Sequence, residues 1–201
     1  MIRPIMPAVL KCGVRDESKA EEAGHAARGI HPKGTIVRNL ARSIFFLLLG
    51  AGAVYIMMSS AGLPEKVASS FGRDNLATGY MTREGYRIWM LAFGILLPLV
   101  VVLLTAWIPR RAPQRMRLPR RDHWFAPEHW DQMMASVSAQ IYWIGSLITL
   151  FVIGLHYAII EANVLKPAQI SARTLWLLFV TFIVCMIALI VGYAFKFRRA
   201  R

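Results

Sequence analysis

Residues 88–109 read IWMLAFGILLPLVVVLLTAWIP, a run of 22 residues that contains no charged side chain. At about 1.5 Å rise per residue, a helix of this length reaches about 33 Å, enough to cross a hydrocarbon core of about 30 Å. Three further uncharged runs lie at residues 43–64, 132–160 and 174–195. The sequence therefore predicts an all-α, integral membrane protein built as a four-helix transmembrane bundle.

The polar segments around these runs predict the domain organisation. Residues 1–37 contain prolines, glycines and a charged Ala/Glu stretch, so we expect a flexible, basic tail there. A single four-span membrane domain is expected over residues 38–201. Its spans are predicted at approximately residues 43–61, 88–107, 135–160 and 174–195.

The 24 Lys and Arg residues, which give a formal net charge of +13, are distributed unevenly between the predicted spans. They are numerous before the first span, at 109–137 and after the fourth span, and sparse at 63–87 and 164–173. Because cytoplasmic flanks retain Lys and Arg, both termini are predicted in the cytoplasm and the two sparse segments outside. The basic clusters favour anionic lipid head groups as partners. No aromatic-basic motif accompanies the charge, so nucleic-acid binding is not expected.

The extracytoplasmic segment between the first two spans is long for a simple loop, so we expect it to be structured and packed over the bundle. His156, Glu161 and Asn163 lie at the outer end of the third span, and ionisable residues at membrane depth are often functional. We hypothesise that they bind a ligand together with Glu65 and Phe71 of the outside segment. The alternative is that Glu161 and Asn163 are solvated or cap the helix end. His156 and Glu161 are about 140° apart around a helix, so a shared metal ion is not expected.

A second group of potential metal ligands precedes the third span, but its spacing matches no known ligand pattern. Its acids suit the positive end of a helix that we expect to begin near Pro127. The residues concerned are Asp122, His123, Glu128, His129 and Asp131. The chain has no Gly-rich phosphate loop and no GxSxG, HExxH or CxxC motif. We therefore predict no catalytic residue, no metal, no cofactor and no enzymatic activity.

Small residues in the first and fourth spans predict close contacts between helices. In lipid, helices associate through close van der Waals packing, for which small side chains leave room. The residues concerned are Gly50, Gly52, Ala188 and Gly192. Trp124 and Trp130 flank the expected start of the third helix, where tryptophans commonly act as interfacial anchors.

The stretch LPEKVASSFGRDNLATGYMTREGYRIWMLAFGILLPLVVVLL, residues 63–104, resembles a bacterial membrane family of unknown function that also occurs at the N-terminus of Sdp-type immunity proteins. The family pattern LP-x-x-V-A-x-H-F, followed by a Gly-containing turn, is matched at Leu63, Pro64, Val67, Ala68, Phe71 and Gly79. Ser70 stands where the family has histidine and Tyr80 where it usually has tryptophan, so no role of that histidine carries over. The segment LPRRDHWFAPEHW at 118–130 and the Ala162–Asn163 pair extend the resemblance to roughly residues 40–195.

This resemblance implies a four-span module in the bacterial inner membrane, with no enzymatic reaction. We expect a protein that acts by binding, as an accessory subunit packed against other membrane subunits or further copies of itself in a larger complex. The alternative is a stand-alone sensor of immunity or signal-transduction type that recognises an extracytoplasmic ligand. A small transporter is a third hypothesis, because Pro98 should bend the second span.

Overall fold

The computed structural model describes residues 32–111 and 121–199, which form four long helices, one short helix and a two-stranded sheet. Each long helix is long and apolar enough to cross a membrane, so the fold is that of a multi-pass membrane protein with four candidate spans. The elements in chain order are α1 (Pro32–Ser60), β1 (Lys66–Phe71), β2 (Ala77–Thr82), α2 (Arg83–Arg111), α3 (Arg121–Trp124), α4 (Pro127–Val164) and α5 (Ala172–Arg199).

Each long helix covers one predicted span and extends beyond its predicted limits, except that α1 ends at Ser60, one residue before the predicted limit at 61. The third long helix, α4, begins at Pro127 as expected, because the fixed φ of proline suits the first helical position. At the other end of the chain, α1 begins at Pro32 and therefore includes residues 32–37 of the predicted tail. Gly34 does not break this helix, and a Cβ there would lie 3.6 Å from Ala135 Cβ of α4. Residues 1–31 of the predicted tail, and 112–120 of the basic connection, lie outside the described residues.

The bundle is organised around α4, against which α1, α2 and α5 all pack. Glycines on α4 allow its neighbours to approach closely. A Cβ at Gly145 would lie 2.5 Å from Val102 Cγ2, and a Cβ at Gly154 would lie 2.5 Å from Leu178 Cδ1. Close van der Waals contact of this kind holds helices together in lipid. Among the long helices described, α5 packs on α4 alone.

Between α1 and α2, β1 and β2 form an antiparallel hairpin in which Ala68 pairs with Tyr80. Val67 and Ala68 are fully buried whereas Tyr80 is exposed, and Asn75 in the turn has a φ of 62°, which asparagine tolerates. The segment is structured, as expected, but the all-α prediction omitted this sheet. The reason is that each strand has only six residues and the register shifts beside Ser70, which interrupts the alternation that reveals a strand.

The connection between α4 and α5 lies beside this hairpin. The backbone N–H of Ala77 donates to the Ala168 carbonyl at 3.1 Å, and the N–H of Ile170 donates to the Asn75 carbonyl at 3.0 Å. These hydrogen bonds add a short third segment next to β2. We refer to residues 66–82 together with 165–171 as the cap, which lies at the end of the bundle where α1 ends and α2 begins.

Candidate functional site

His156 is buried at the centre of a polar network close to the cap. Its side chain belongs to α4, has 0% exposure and lies between α1 and α2. Ser59 Oγ of α1 is 2.8 Å from His156 Nε2, and the Tyr86 hydroxyl of α2 is 2.7 Å from His156 Nδ1. The Tyr86 ring stacks on the imidazole at a centroid distance of 5.7 Å, and Tyr55 meets it edge-on at 5.6 Å. One side chain thus joins three helices.

The hydrogen-bond partners of His156 indicate its tautomer. Ser59 Oγ donates its single hydrogen to the Tyr55 carbonyl at 2.6 Å, so it accepts from His156. We therefore assign the hydrogen of the neutral ring to Nε2, which donates to Ser59 Oγ, so that Nδ1 accepts the hydrogen of the Tyr86 hydroxyl. Each hydrogen in the network then has an acceptor, which is the condition for burying polar groups without a large penalty.

Asn163 fastens strand β1 to the end of α4. Its Oδ1 accepts the backbone N–H of Ala68 at 2.7 Å, and its Nδ2 donates to the Ala68 carbonyl at 3.1 Å. The same Nδ2 donates to the Ile159 carbonyl at 2.8 Å. The carboxamide therefore occupies the edge of β1 as a neighbouring strand would, and it covers backbone groups that could otherwise pair with another chain.

Arg83 ties the start of α2 to the end of α1. One guanidinium nitrogen, Nη1, donates to the Ala61 carbonyl at 3.4 Å and to the Leu63 carbonyl at 3.3 Å. Carbonyls at a helix C-terminus lack partners within the helix, so a cationic donor is favourable there. Because β2 ends at Thr82 and α2 begins at Arg83, the strand continues directly into the helix. The cap is thus covalently continuous with α2 and hydrogen-bonded to α4.

The five residues predicted to bind a ligand do not line one pocket. His156 is enclosed by helices, whereas Asn163 forms hydrogen bonds with β1, which belongs to the segment between the first two spans. Glu65 and Glu161 are exposed, and neither carboxylate forms a hydrogen bond or ion pair with any residue in the ranges described. Phe71 is half-buried and packs against the apolar core beneath the cap. Their participation in ligand binding stays a prediction.

Four polar residues of this region were not identified from the sequence: Tyr55, Ser59, Arg83 and Tyr86. Polar and aromatic residues at the ends of spans are common, because they lie near the head groups, and so they do not point to a buried site. Their contacts with His156 and with the end of α1 depend on how three helices pack.

The residues predicted to mediate close helix contacts fall into two groups. Gly52 faces α4, where a Cβ would lie 2.7 Å from Ile153 Cδ1. Gly50 and Gly192 are exposed, and a Cβ at either position would meet no atom of residues 32–111 or 121–199 within 4 Å. Ala188 is also exposed, on α5. Among the described residues, close packing therefore involves Gly52 but not the other three residues.

The two predicted interfacial anchors lie at the end of the bundle opposite the cap. Trp124 is only 4% exposed, stacks obliquely on Phe197 at 4.7 Å, and donates from Nε1 to the Phe197 carbonyl at 3.4 Å. Its indole is therefore shielded by protein and holds α3 against the end of α5, which differs from the expected contact with lipid head groups. Trp130 is half-buried and meets Phe125 edge-on at 5.7 Å.

His123 and His129 lie near the start of α4 with ring centroids 4.1 Å apart. Within the described ranges, no group of three or more His, Cys, Asp or Glu residues could hold a metal ion. The side chains of Asp122 and Glu128 are outside the described part, and Asp131 is exposed. Because structural metal sites need about four ligands, the two imidazoles alone do not define one.

The fifth helix exposes most of its surface. No residue from 172 to 196, all of which are described, is buried, because α5 contacts α4 along one side only. A groove of about 510 Å³ lies between α1 and α5 over the surface of α4. Its lining is apolar apart from Ser146 and comprises Ile44, Leu48, Trp143, Leu147, Leu150, Cys185, Ala188 and Leu189. In a membrane this surface meets lipid or another protein.

Comparison with known proteins adds nothing to these observations. No protein-family model, curated protein or solved structure matches the chain. The resemblance carried by residues 63–104 therefore stays a prediction, and the function has to be inferred from the geometry of the bundle and its cap.

Proposed function

We propose that the protein is a non-enzymatic component of the bacterial inner membrane that acts by binding, as an accessory subunit of a larger membrane complex. The observation that supports this most strongly is the presence of exposed glycines that lack a close contact within the part of the chain that the structure describes. Gly50 on α1 and Gly192 on α5 both have open space where a Cβ would stand. Gly52, Gly145 and Gly154, by contrast, each have a neighbouring helix that occupies this space.

Glycine in a helix interior is unfavourable relative to alanine by about 1 kcal/mol, so its presence calls for a physical reason. Among the described residues, no neighbour approaches Gly192 closely enough to explain why a glycine is present there. In lipid, small residues on an outer helix face allow a second helix to approach closely. Ala188 precedes Gly192 by one turn on the exposed side of α5, so the two residues would offer a neighbouring subunit a small-residue surface.

The proposed orientation places both termini in the cytoplasm and the cap outside, in line with the distribution of Lys and Arg. Exposed basic residues at the ends of α2 and α5, such as Arg111 and Arg198, would then lie beside the cytoplasmic leaflet. Each such residue contributes about 1 kcal/mol of attraction to anionic head groups. Partners would therefore be anionic lipids together with other membrane subunits or further copies of the chain.

Co-purification from native membranes tests the role of this surface. The tagged protein, extracted in mild detergent, should recover other membrane proteins, and Gly192→Leu should strongly lower that recovery without lowering the amount inserted. Ile190→Leu changes an exposed residue about 160° around α5 from Gly192 and serves as the control, which should retain recovery. Equal recovery by the two variants would argue against a role of Gly192 in subunit contacts.

The cap favours a second role, that of a stand-alone sensor of immunity or signal-transduction type. The observation is that Glu65 and Glu161 are exposed beside the cap with no partner among the described residues, so both carboxylates are available to an external ligand. Under this role, Glu161→Gln and Phe71→Ala should each abolish the cellular phenotype while the protein remains in the membrane. An unaltered phenotype in both variants would remove the sensor role.

A further inference from the structure

The cap is attached to two different helices, and His156 lies at the contact between them. Strand β2 continues into α2 without an intervening residue, while β1 is fastened to α4 by Asn163. Below the cap, the hydrogen bond and ring stacking between Tyr86 and His156 join α2 to α4. A weaker contact at this point would allow the first turns of α2, and β2 with them, to shift relative to α4.

One added proton would disturb this contact specifically. In the neutral network Tyr86 donates to Nδ1, whereas Nε2 already donates to Ser59. A second proton must therefore occupy Nδ1, which turns this nitrogen from an acceptor into a donor. The Tyr86 oxygen would have to accept instead, and its own hydrogen would face a core that includes Met90 and Val152. Because the Ser59 contact is retained, the change falls on the link between α2 and α4.

The surroundings of His156 provide little compensation for a positive charge. At the cap end of the three helices around His156, the titratable and charged groups are Tyr55 of α1, Arg83, Glu84, Tyr86 and Arg87 of α2, and Tyr157 and Glu161 of α4. Among these, Tyr55 and Tyr86 form ring contacts with the imidazole. The Glu84 carboxylate is paired with Arg87, Arg83 is held by carbonyls at the end of α1, and Glu161 is exposed. A buried charge and an unpaired hydroxyl hydrogen would both destabilise the packed arrangement.

We infer that His156 is a proton-operated switch between α2 and α4, in which proton uptake loosens the first turns of α2 and the cap, and proton release restores them. Ser59, which is half-buried, gives the network a route to the surface. The inference concerns movement within one chain, so it does not depend on the proposed subunit role. It would make any recognition by the cap sensitive to pH.

Hydrogen–deuterium exchange of the full-length protein in lipid nanodiscs tests the switch. Protection factors, corrected for the intrinsic pH dependence of exchange, are compared between about pH 8 and about pH 4, a range that brackets the usual histidine titration. Peptides covering residues 66–90 should lose protection about five- to tenfold on acidification, the size of effect expected from loss of one buried hydrogen bond. Peptides at the opposite end of α4 should keep their protection.

Two variants make the result specific to the proposed contact. His156→Gln can donate to Ser59 and accept from Tyr86 but does not titrate, so its protection should not change over this pH range. Tyr86→Phe keeps the aromatic ring without the hydroxyl, and should show low protection at both pH values. The inference is overturned if residues 66–90 of the unaltered protein show no change, or if either variant shows the same loss on acidification as the unaltered protein.

Discussion

Replacing Asn163 by alanine should detach β1 from α4 and destabilise the folded protein by about 2–4 kcal/mol. The substitution removes both side-chain contacts to the backbone of Ala68, at 2.7 Å and 3.1 Å. Ala68 has 0% exposure, so its N–H and carbonyl would be left buried without their partner. A buried polar group without a hydrogen bond costs about 1–3 kcal/mol, and two such groups give the expected range after partial relaxation. The Ile159 carbonyl adds little, because it also lies within the helical hydrogen-bond ladder.

The measurement is the free energy of unfolding in mixed micelles, followed by tryptophan fluorescence as sodium dodecyl sulfate is added. Glu161→Ala is the matched control, since Glu161 lies on the same helix end but has no partner among the described residues, and its effect should stay within about 0.5 kcal/mol. Asn163→Asp retains an acceptor for the Ala68 N–H and should be intermediate. If Asn163→Ala were no more destabilising than Glu161→Ala, the carboxamide would not hold β1 in place.

Three further substitutions test the packing of the bundle. Gly145→Ala should destabilise the protein by about 1–3 kcal/mol, because the new Cβ would lie 2.5 Å from Val102 Cγ2, whereas Gly192→Ala should be neutral or slightly stabilising. Both are measured by unfolding in the same micelles, and equal effects would contradict the contact between Gly145 and Val102. Trp124→Phe should lower stability by about 1 kcal/mol through loss of the hydrogen bond to the Phe197 carbonyl. In this variant, protection from hydrogen exchange should fall at residues 121–130 and at the end of α5, and unchanged protection there would show that the indole N–H does not join α3 to α5.

The four long helices could be predicted because the signal for each lies within its own segment. An uncharged run of 22 residues such as 88–109 satisfies the length requirement of a bilayer without reference to the rest of the chain. The start of α4 could also be predicted from a local signal, because Pro127 is compatible with only a few positions in a helix. The sequence predicts the start of α1 too late, because the contact of α1 with α4 near Gly34 is not visible in the sequence.

The hairpin and the site were harder to predict because they depend on contacts between distant segments. Ser70 marks a shift in register that hides the strand pattern, so the segment could be expected to be structured but not to form a sheet. The sequence indicates His156 and Asn163 only as polar residues near the end of a span. Their different roles, one inside the bundle and one against β1, follow from partners about 70 to 97 residues away in the sequence.

Native mass spectrometry of the protein released from its own membranes tests the proposed subunit role most directly. The tagged chain is purified in mild detergent and transferred to the gas phase with its partners and lipids bound. We expect a complex of fixed stoichiometry in which the 201-residue chain is accompanied by other membrane proteins or by further copies of itself. A single species with the mass of one chain, 22.7 kDa plus lipid, would contradict this role and would direct attention to the cap as a recognition site.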